Sequence, residues 1–144
     1  MTAGQEPLHF HYEVDGNNFT SAGEASVQVK RMLRQMGFHP ELIRRISVAM
    51  YEGEINMVIH AKGGVADVYV TPECITVILK DVGPGIKDVK LAMQEGYSTA
   101  PENIRALGFG AGMGLPNMKR YSDDLKIDSV VGVGTTIEMK FLSA

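Results

Sequence analysis

The chain has 144 residues, 44% of them hydrophobic and 22% charged, an ordinary balance for one domain, expected to span residues 1–144 and to bury its own core. A formal net charge of −3 gives no electrostatic case for duplex nucleic acid, and no apolar run approaches the roughly 18 residues of a membrane span. The single cysteine, Cys74, excludes an internal disulfide and a multi-cysteine metal site, and Met1 to Pro7 lack a signal-peptide pattern, so cytoplasmic residence is expected.

In chain order, His9 to Val14 alternates, with Phe10, Tyr12 and Val14 on one face and His9, His11 and Glu13 on the other, which predicts a half-buried strand. Gly16-Asn17-Asn18 reads as a turn, and Ser21 with Glu24 as a capping box opening a helix through Ala25, Val29, Met32, Leu33 and Met36 that Gly37 stops. Pro40 opens a second helix to about Ala61, with Leu42, Ile46, Ala49, Met50, Gly53 and Met57 as its apolar stripe. Val65 to Thr71 and Cys74 to Lys80 predict a hairpin turning at Pro72-Glu73. Lys87 to Gln94 has the pattern of a short helix, and Glu95 to Met113 has no sustained period. Leu115 to Tyr121 reads as a helix, followed by strands at Leu125 to Val130 and Thr135 to Leu142. Helices mixed with hairpins predict an α+β fold, a two-layer α/β sandwich with a mixed, mostly antiparallel sheet and helices on one face.

Three segments carry chemistry. Glu52 and Asn56 are four apart, so they share one helix face, while Glu54 points about 160° away from Asn56. An amide oxygen suits Mg²⁺ and a nearby carboxylate can accept a proton; the same segment also reads as a solvated helix face. Asp81-Val82-Gly83-Pro84-Gly85-Ile86 follows a strand: a carboxylate there can accept from an exocyclic amine, and the glycines admit a flat ligand, or the segment is simply a tight turn. Gly108-Phe109-Gly110-Ala111-Gly112-Met113-Gly114-Leu115 opens a helix, and glycine-rich backbone at a helix N-terminus favours phosphate. It is neither a P-loop nor a Rossmann fingerprint, because no Gly-Lys-Ser/Thr ends it and no strand directly precedes it. Two histidines on a strand, His9 and His11, without a carboxylate at suitable spacing are poor evidence for a metal. Cys74 reads as a small packed hydrophobe, and His60 as a helix-end residue.

Glu52-x-x-x-Asn56, Asp81-x-Gly83-x-Gly85-Ile86, the glycine box from Gly108 to Leu115, and Gly134-Thr135-Thr136 follow one another in the motif order of the GHKL ATPases, and the chain resembles that superfamily. Within it, Glu95-Gly96-Tyr97-Ser98-Thr99 and Leu115-Pro116-Asn117-Met118-Lys119-Arg120 are most similar to the bacterial anti-sigma factors and switch kinases of partner-switching modules. Two departures stand out: a longer segment, Ala100 to Leu107, before the glycine box, and Gly53-Glu54 inside the first motif, where better helix formers are expected.

The resemblance implies a Bergerat ATP-binding fold with an ATP lid over residues 87–113. It implies ATP and Mg as cofactors. Asp81 would bind the adenine amine, supported by Thr135, with Gly83, Gly85 and Ile86 beside the base. Asn56 would hold Mg²⁺, Gly108, Gly110, Gly112, Met113, Gly114 and Leu115 would meet the phosphates, and Glu52 would be the catalytic base. Arg105 in the lid reads more readily as a solvated loop residue than as a γ-phosphate ligand, and Lys119 and Arg120 are weak candidates. The implied activity is a protein serine/threonine kinase acting on a STAS-type antagonist protein. The alternative is a non-catalytic ATP-responsive module sequestering a sigma factor or other regulator, and a third is an ATP domain serving a histidine kinase. Direct nucleic-acid and membrane partners are not implied; a homodimer is allowed.

Overall fold

The computed structural model describes residues 6–16, 22–86, 89, 93 and 114–143. The element order is β1 (Leu8–Asp15), α1 (Glu24–Gln35), α2 (Pro40–His60), β2 (Gly63–Val70), β3 (Cys74–Asp81), α3 (Gly114–Tyr121), β4 (Asp124–Val130) and β5 (Gly134–Leu142). The five strands form one sheet in the order β1-β2-β3-β5-β4. All four pairings are antiparallel, so among the described residues the sheet expected to be mixed, mostly antiparallel, contains no parallel pair. The expected α+β architecture is what the chain adopts: among the described residues, an open antiparallel sheet with three helices.

Strand alternation sorts the faces. Ala66, Val68 and Val70 on β2, Ile75, Val77 and Leu79 on β3, and Ile137, Met139 and Phe141 on β5 are buried and join one core with residues of all three helices. Every residue of the predicted stripe of α2, from Leu42 through Met57, is buried in that layer. The opposite sheet face carries His9, His11, Asp67, Tyr69 and Cys74. Cys74 is therefore half-buried outside the core instead of packed within it.

Gly53 brings α2 close to the sheet: a Cβ there would lie 2.0 Å from Leu79 Cδ1 and 3.6 Å from Met118 Sδ. A glycine that weakens an isolated helix is here what lets the helix seat.

The start of α1 differs from the expected capping box. The helix begins at Glu24, with Gly23 at the cap position and no side chain of α1 capping it; Ser21 lies outside the described residues. The donors are satisfied from another helix. Glu54 Oε2 accepts from the Gly23 N–H at 3.0 Å and the Ala25 N–H at 3.2 Å, and Oε1 accepts from the Ser26 N–H at 2.6 Å. Glu54 is only 1% exposed. Burial pushes its carboxyl above the usual glutamate range, and the N–H donors pull it back. The residue that looked out of place is a buried cap delivered across the core. His39 caps α2 more locally, its Nδ1 accepting from the Glu41 N–H at 3.2 Å.

Replacing Glu54 by alanine strands those N–H groups away from water. Glu54→Ala is expected to cost about 2–4 kcal/mol, read as a lower urea midpoint at unchanged slope. A midpoint within error of wild type would mean that the cap contributes nothing.

Candidate active site

Helix α2 lies antiparallel to α3, and the pairs read off along both. At one end Arg45 Nη1 donates to the Tyr121 carbonyl at 3.4 Å; near the middle Asn117 Nδ2 donates to Glu52 Oε1 at 3.5 Å. At the other end Gly114 lies against Asn56 so closely that a Cβ would sit 2.6 Å from Asn56 Nδ2 and 3.0 Å from its Oδ1. Glu52 and Asn56 thus face one side of α3, one helical turn apart, as their spacing predicts. Burial raises the Glu52 carboxyl above its ordinary value, and the Asn117 amide lowers it in part. A half-buried carboxylate with a raised pKa is suited to accepting a proton.

Gly114 is the first residue of α3, so Asn56 sits where that helix leaves backbone N–H groups without intrahelical partners. The start of a helix beside a side-chain amide fits a phosphate chain with Mg²⁺ on the amide oxygen. The side chain of Leu115, the next residue, is buried in the core.

The second half of the site is built at the end of β3. Asp81 Oδ1 accepts from the Thr135 backbone N–H at 2.9 Å. This depends on Gly134, where any Cβ would lie 2.2 Å from the Asp81 carbonyl oxygen. Support from Thr135 thus comes through its backbone; its hydroxyl instead lies 3.0 Å from Ser129 Oγ. Ser129 Oγ in turn accepts from the Ile86 N–H at 2.7 Å, tying the glycine turn to β4. Gly85 adopts φ +76°, with its Cβ direction blocked by the Val130 carbonyl 2.6 Å away. Burial raises the Asp81 carboxyl and the Thr135 N–H lowers it. A carboxylate offers about four lone-pair sites, so one such bond leaves capacity for a ligand's amine.

The two halves meet through α2. A Cβ on Gly83 would lie 2.7 Å from Ala61 Cβ, just past the end of the helix that carries Asn56 five residues earlier. Five residues of helix rise about 7.5 Å along the axis. Through this contact the turn after β3, tied to Thr135 and Ser129, lies beside the C-terminal end of α2, and Glu52 and Asn56 lie earlier on the same helix against α3.

Gly108, Gly110, Gly112, Met113 and Arg105 lie outside the described residues, as does most of the expected lid 87–113 and all of Ala100 to Leu107. Of the expected helix at 87–94, Val89 and Met93 are described, with the Met93 N–H donating to the Val89 carbonyl at 3.0 Å. Lys119 and Arg120 are exposed on α3. A surface cavity of about 360 Å³ beside Gly23, Arg31 and Tyr51 is lined by none of the predicted site residues.

Two residues of the site were missed in the sequence reading. Asn117 stands three after Gly114, the spacing of one helix face, which was the available signal. Ser129 continues the half-buried alternation Leu125-Ile127-Ser129 and lies in register with Thr135.

An open antiparallel sheet layered with helices, with a carboxylate at the end of β3 and a Glu/Asn face against a glycine-started helix, defines a nucleotide-binding architecture of the GHKL kind. A family model described as the histidine kinase-like ATPase domain matches residues 17–141, and the chain belongs to that family. It is 34% identical over 122 residues to an anti-sigma F factor of Clostridium novyi, covering 81% of this chain and 82% of that protein. It is 32% identical over 113 residues to the serine/threonine-protein kinase RsbT of Bacillus subtilis, covering 76% and 79%. Among solved structures, that of the RsbU and RsbW domains of Rv1364c from Mycobacterium tuberculosis matches with a TM-score of 0.64 at 18% identity, over 95% of this chain and 33% of that one. That last likeness concerns the fold.

The Gly114–Asn56 contact is directly testable. In Gly114→Ala the new methyl displaces a mobile amide instead of backbone, so stability is expected to fall by less than about 1 kcal/mol while Mg-ATP affinity falls at least about tenfold, measured by calorimetry. Unchanged affinity would remove Asn56 from the nucleotide site.

Proposed function

We propose that the chain is a Mg-ATP-dependent protein serine/threonine kinase, residues 1–144 forming one cytoplasmic ATP-binding domain, and that its substrate is a STAS-type antagonist protein of a partner-switching module. The observation that carries this reading is the pairing of α2 with α3, which sets the half-buried Glu52 carboxylate one turn from Asn56, itself at the glycine-started end of a helix. The similarity to a protein named as a serine/threonine kinase supports it independently.

In this reading Asp81 takes the adenine amine, with Gly83, Gly85 and Ile86 beside the base and Thr135 holding the carboxylate. Asn56 would hold Mg²⁺, which would neutralise phosphate charge there. The backbone of Gly108, Gly110, Gly112, Met113, Gly114 and Leu115 meets the phosphates, and residues 87–113 form the lid. The substrate serine oxygen attacks the γ-phosphorus as its bond to the β–γ bridging oxygen breaks, ADP leaves, and the serine proton passes to Glu52. Such transfer needs chiefly positioning and charge neutralisation, which a short residue set can supply. A partner bound unphosphorylated and released once phosphorylated would make the chain a switch.

The anti-sigma F factor relatives favour a second reading, in which ATP acts as a conformational ligand and the partner held is a sigma factor. Incubation with radiolabelled ATP and candidate antagonists separates the two. Transfer to serine is expected from wild type, with Glu52→Ala retaining ATP affinity and losing transfer by about 10²-fold or more. Tight ATP binding without transfer would favour the second reading, and transfer by Glu52→Ala at the wild-type rate would remove the base assignment.

The raised Glu52 pKa sets the acid side of the profile. Glu52 must be ionised to accept a proton, so transfer is expected to rise with pH through a value above that of an ordinary glutamate. The Asn117 amide favours the ionised form, so Asn117→Ala is expected to move this acid limb to higher pH. A limb that stays put would show that Asn117 does not tune Glu52.

A further inference from the structure

The sheet face turned away from the helices carries a group that the nucleotide site does not use. His9 and His11 alternate outward on β1, an edge strand, and β2 places Asp67 directly opposite His11 and Tyr69 directly opposite His9. His9 Nε2 and His11 Nδ1 each lie 2.7 Å from the same Asp67 Oδ1. The ring of Tyr69 stacks on that of His9, centroids 4.4 Å apart and planes within 6°. The carboxylate whose absence weakened the metal reading of the two histidines is supplied by the neighbouring strand, 56 residues from His11 along the chain.

We propose that His9, His11 and Asp67 form a binding site for a single borderline divalent transition-metal ion, with zinc the ion that best fits the donor set. Two imidazole nitrogens and one carboxylate oxygen form a three-residue ligand set, as in zinc sites that leave a fourth position to water. The three donor atoms lie within 4.8 Å of one another. Zinc needs bonds of about 2.0–2.2 Å to such donors, so the Asp67 oxygen must withdraw slightly from between the imidazoles. The His11 side chain, 50% exposed, has room to turn with it.

The stacked Tyr69 ring fixes the plane of His9, a positioning role that reduces what ion binding must order. An ion here would clip the edge strand to its neighbour. It would also present an open coordination position on the face opposite the helices.

The test is titration of untagged, full-length protein with zinc chloride, followed by calorimetry and by thermal unfolding. One equivalent is expected to bind in the micromolar range and to raise the unfolding midpoint. His9→Ala, His11→Ala and Asp67→Ala are each expected to weaken binding by at least about tenfold, while His39→Ala leaves it unchanged. These side chains are at the surface, so the variants should fold, and wild-type protein gives a second measurement in any case. Cobalt(II) is expected to shift amide resonances of β1 and β2 selectively in nuclear magnetic resonance spectra. No stoichiometric binding by wild type, undiminished binding in His9→Ala and His11→Ala, or cobalt shifts centred elsewhere would each overturn the proposal.

Discussion

The rotation of α2 about its own axis is the constraint on which the site depends, and a buried carboxylate fixes it. Glu54 reaches through the core to the first turn of α1 and takes three backbone N–H groups there. A buried acid without partners would be costly, and a helix start without a cap would leave donors stranded. Each problem solves the other. On the adjacent residue, Gly53 lets the helix close onto Leu79. With Glu54 directed to α1 and Gly53 to the sheet, Glu52 and Asn56 are left facing α3 by helix geometry alone.

The same few contacts separate rigidity from reactivity. Apart from Glu54, the buried residues of α2 from Leu42 to Val58 are apolar or glycine. Its α3 side carries half-buried polar groups whose bonds are fewer and longer, as in the 3.5 Å contact between Asn117 and Glu52. A carboxylate held loosely in a partly desolvated place keeps its basicity and can reach a proton. A carboxylate tied by several N–H groups, like that of Glu54, serves as structure. Two glutamates two residues apart thus have different chemistry because the helix turns them to different neighbours.

At the sheet end, order comes from close backbone approach. Gly134 presses on the Asp81 carbonyl, and this brings the Thr135 N–H to the carboxylate. Ser129 then links the turn after β3 to β5. Strand register, more than side-chain reach, places the aspartate, since β3 and β5 pair from Cys74–Leu142 to Lys80–Thr136. Membership of the histidine kinase-like ATPase family agrees with this construction.

The amino-acid order alone determined most of the described strands and helices, their apolar faces and the pairing of Glu52 with Asn56, because these follow from periods of two and 3.6 acting over a few residues. It also marked Asp81 at a strand end and the glycines around it. The family resemblance extended this to the site as a whole. Tertiary structure alone decided that Glu54 caps a helix 28–31 residues away, that Asn117 meets Glu52 across 65 residues, and that Ser129 binds the backbone of Ile86 across 43. It decided, too, that Asp67 lies under His9 and His11. Local periodicity says which way a side chain points; only register and helix packing say what stands opposite it.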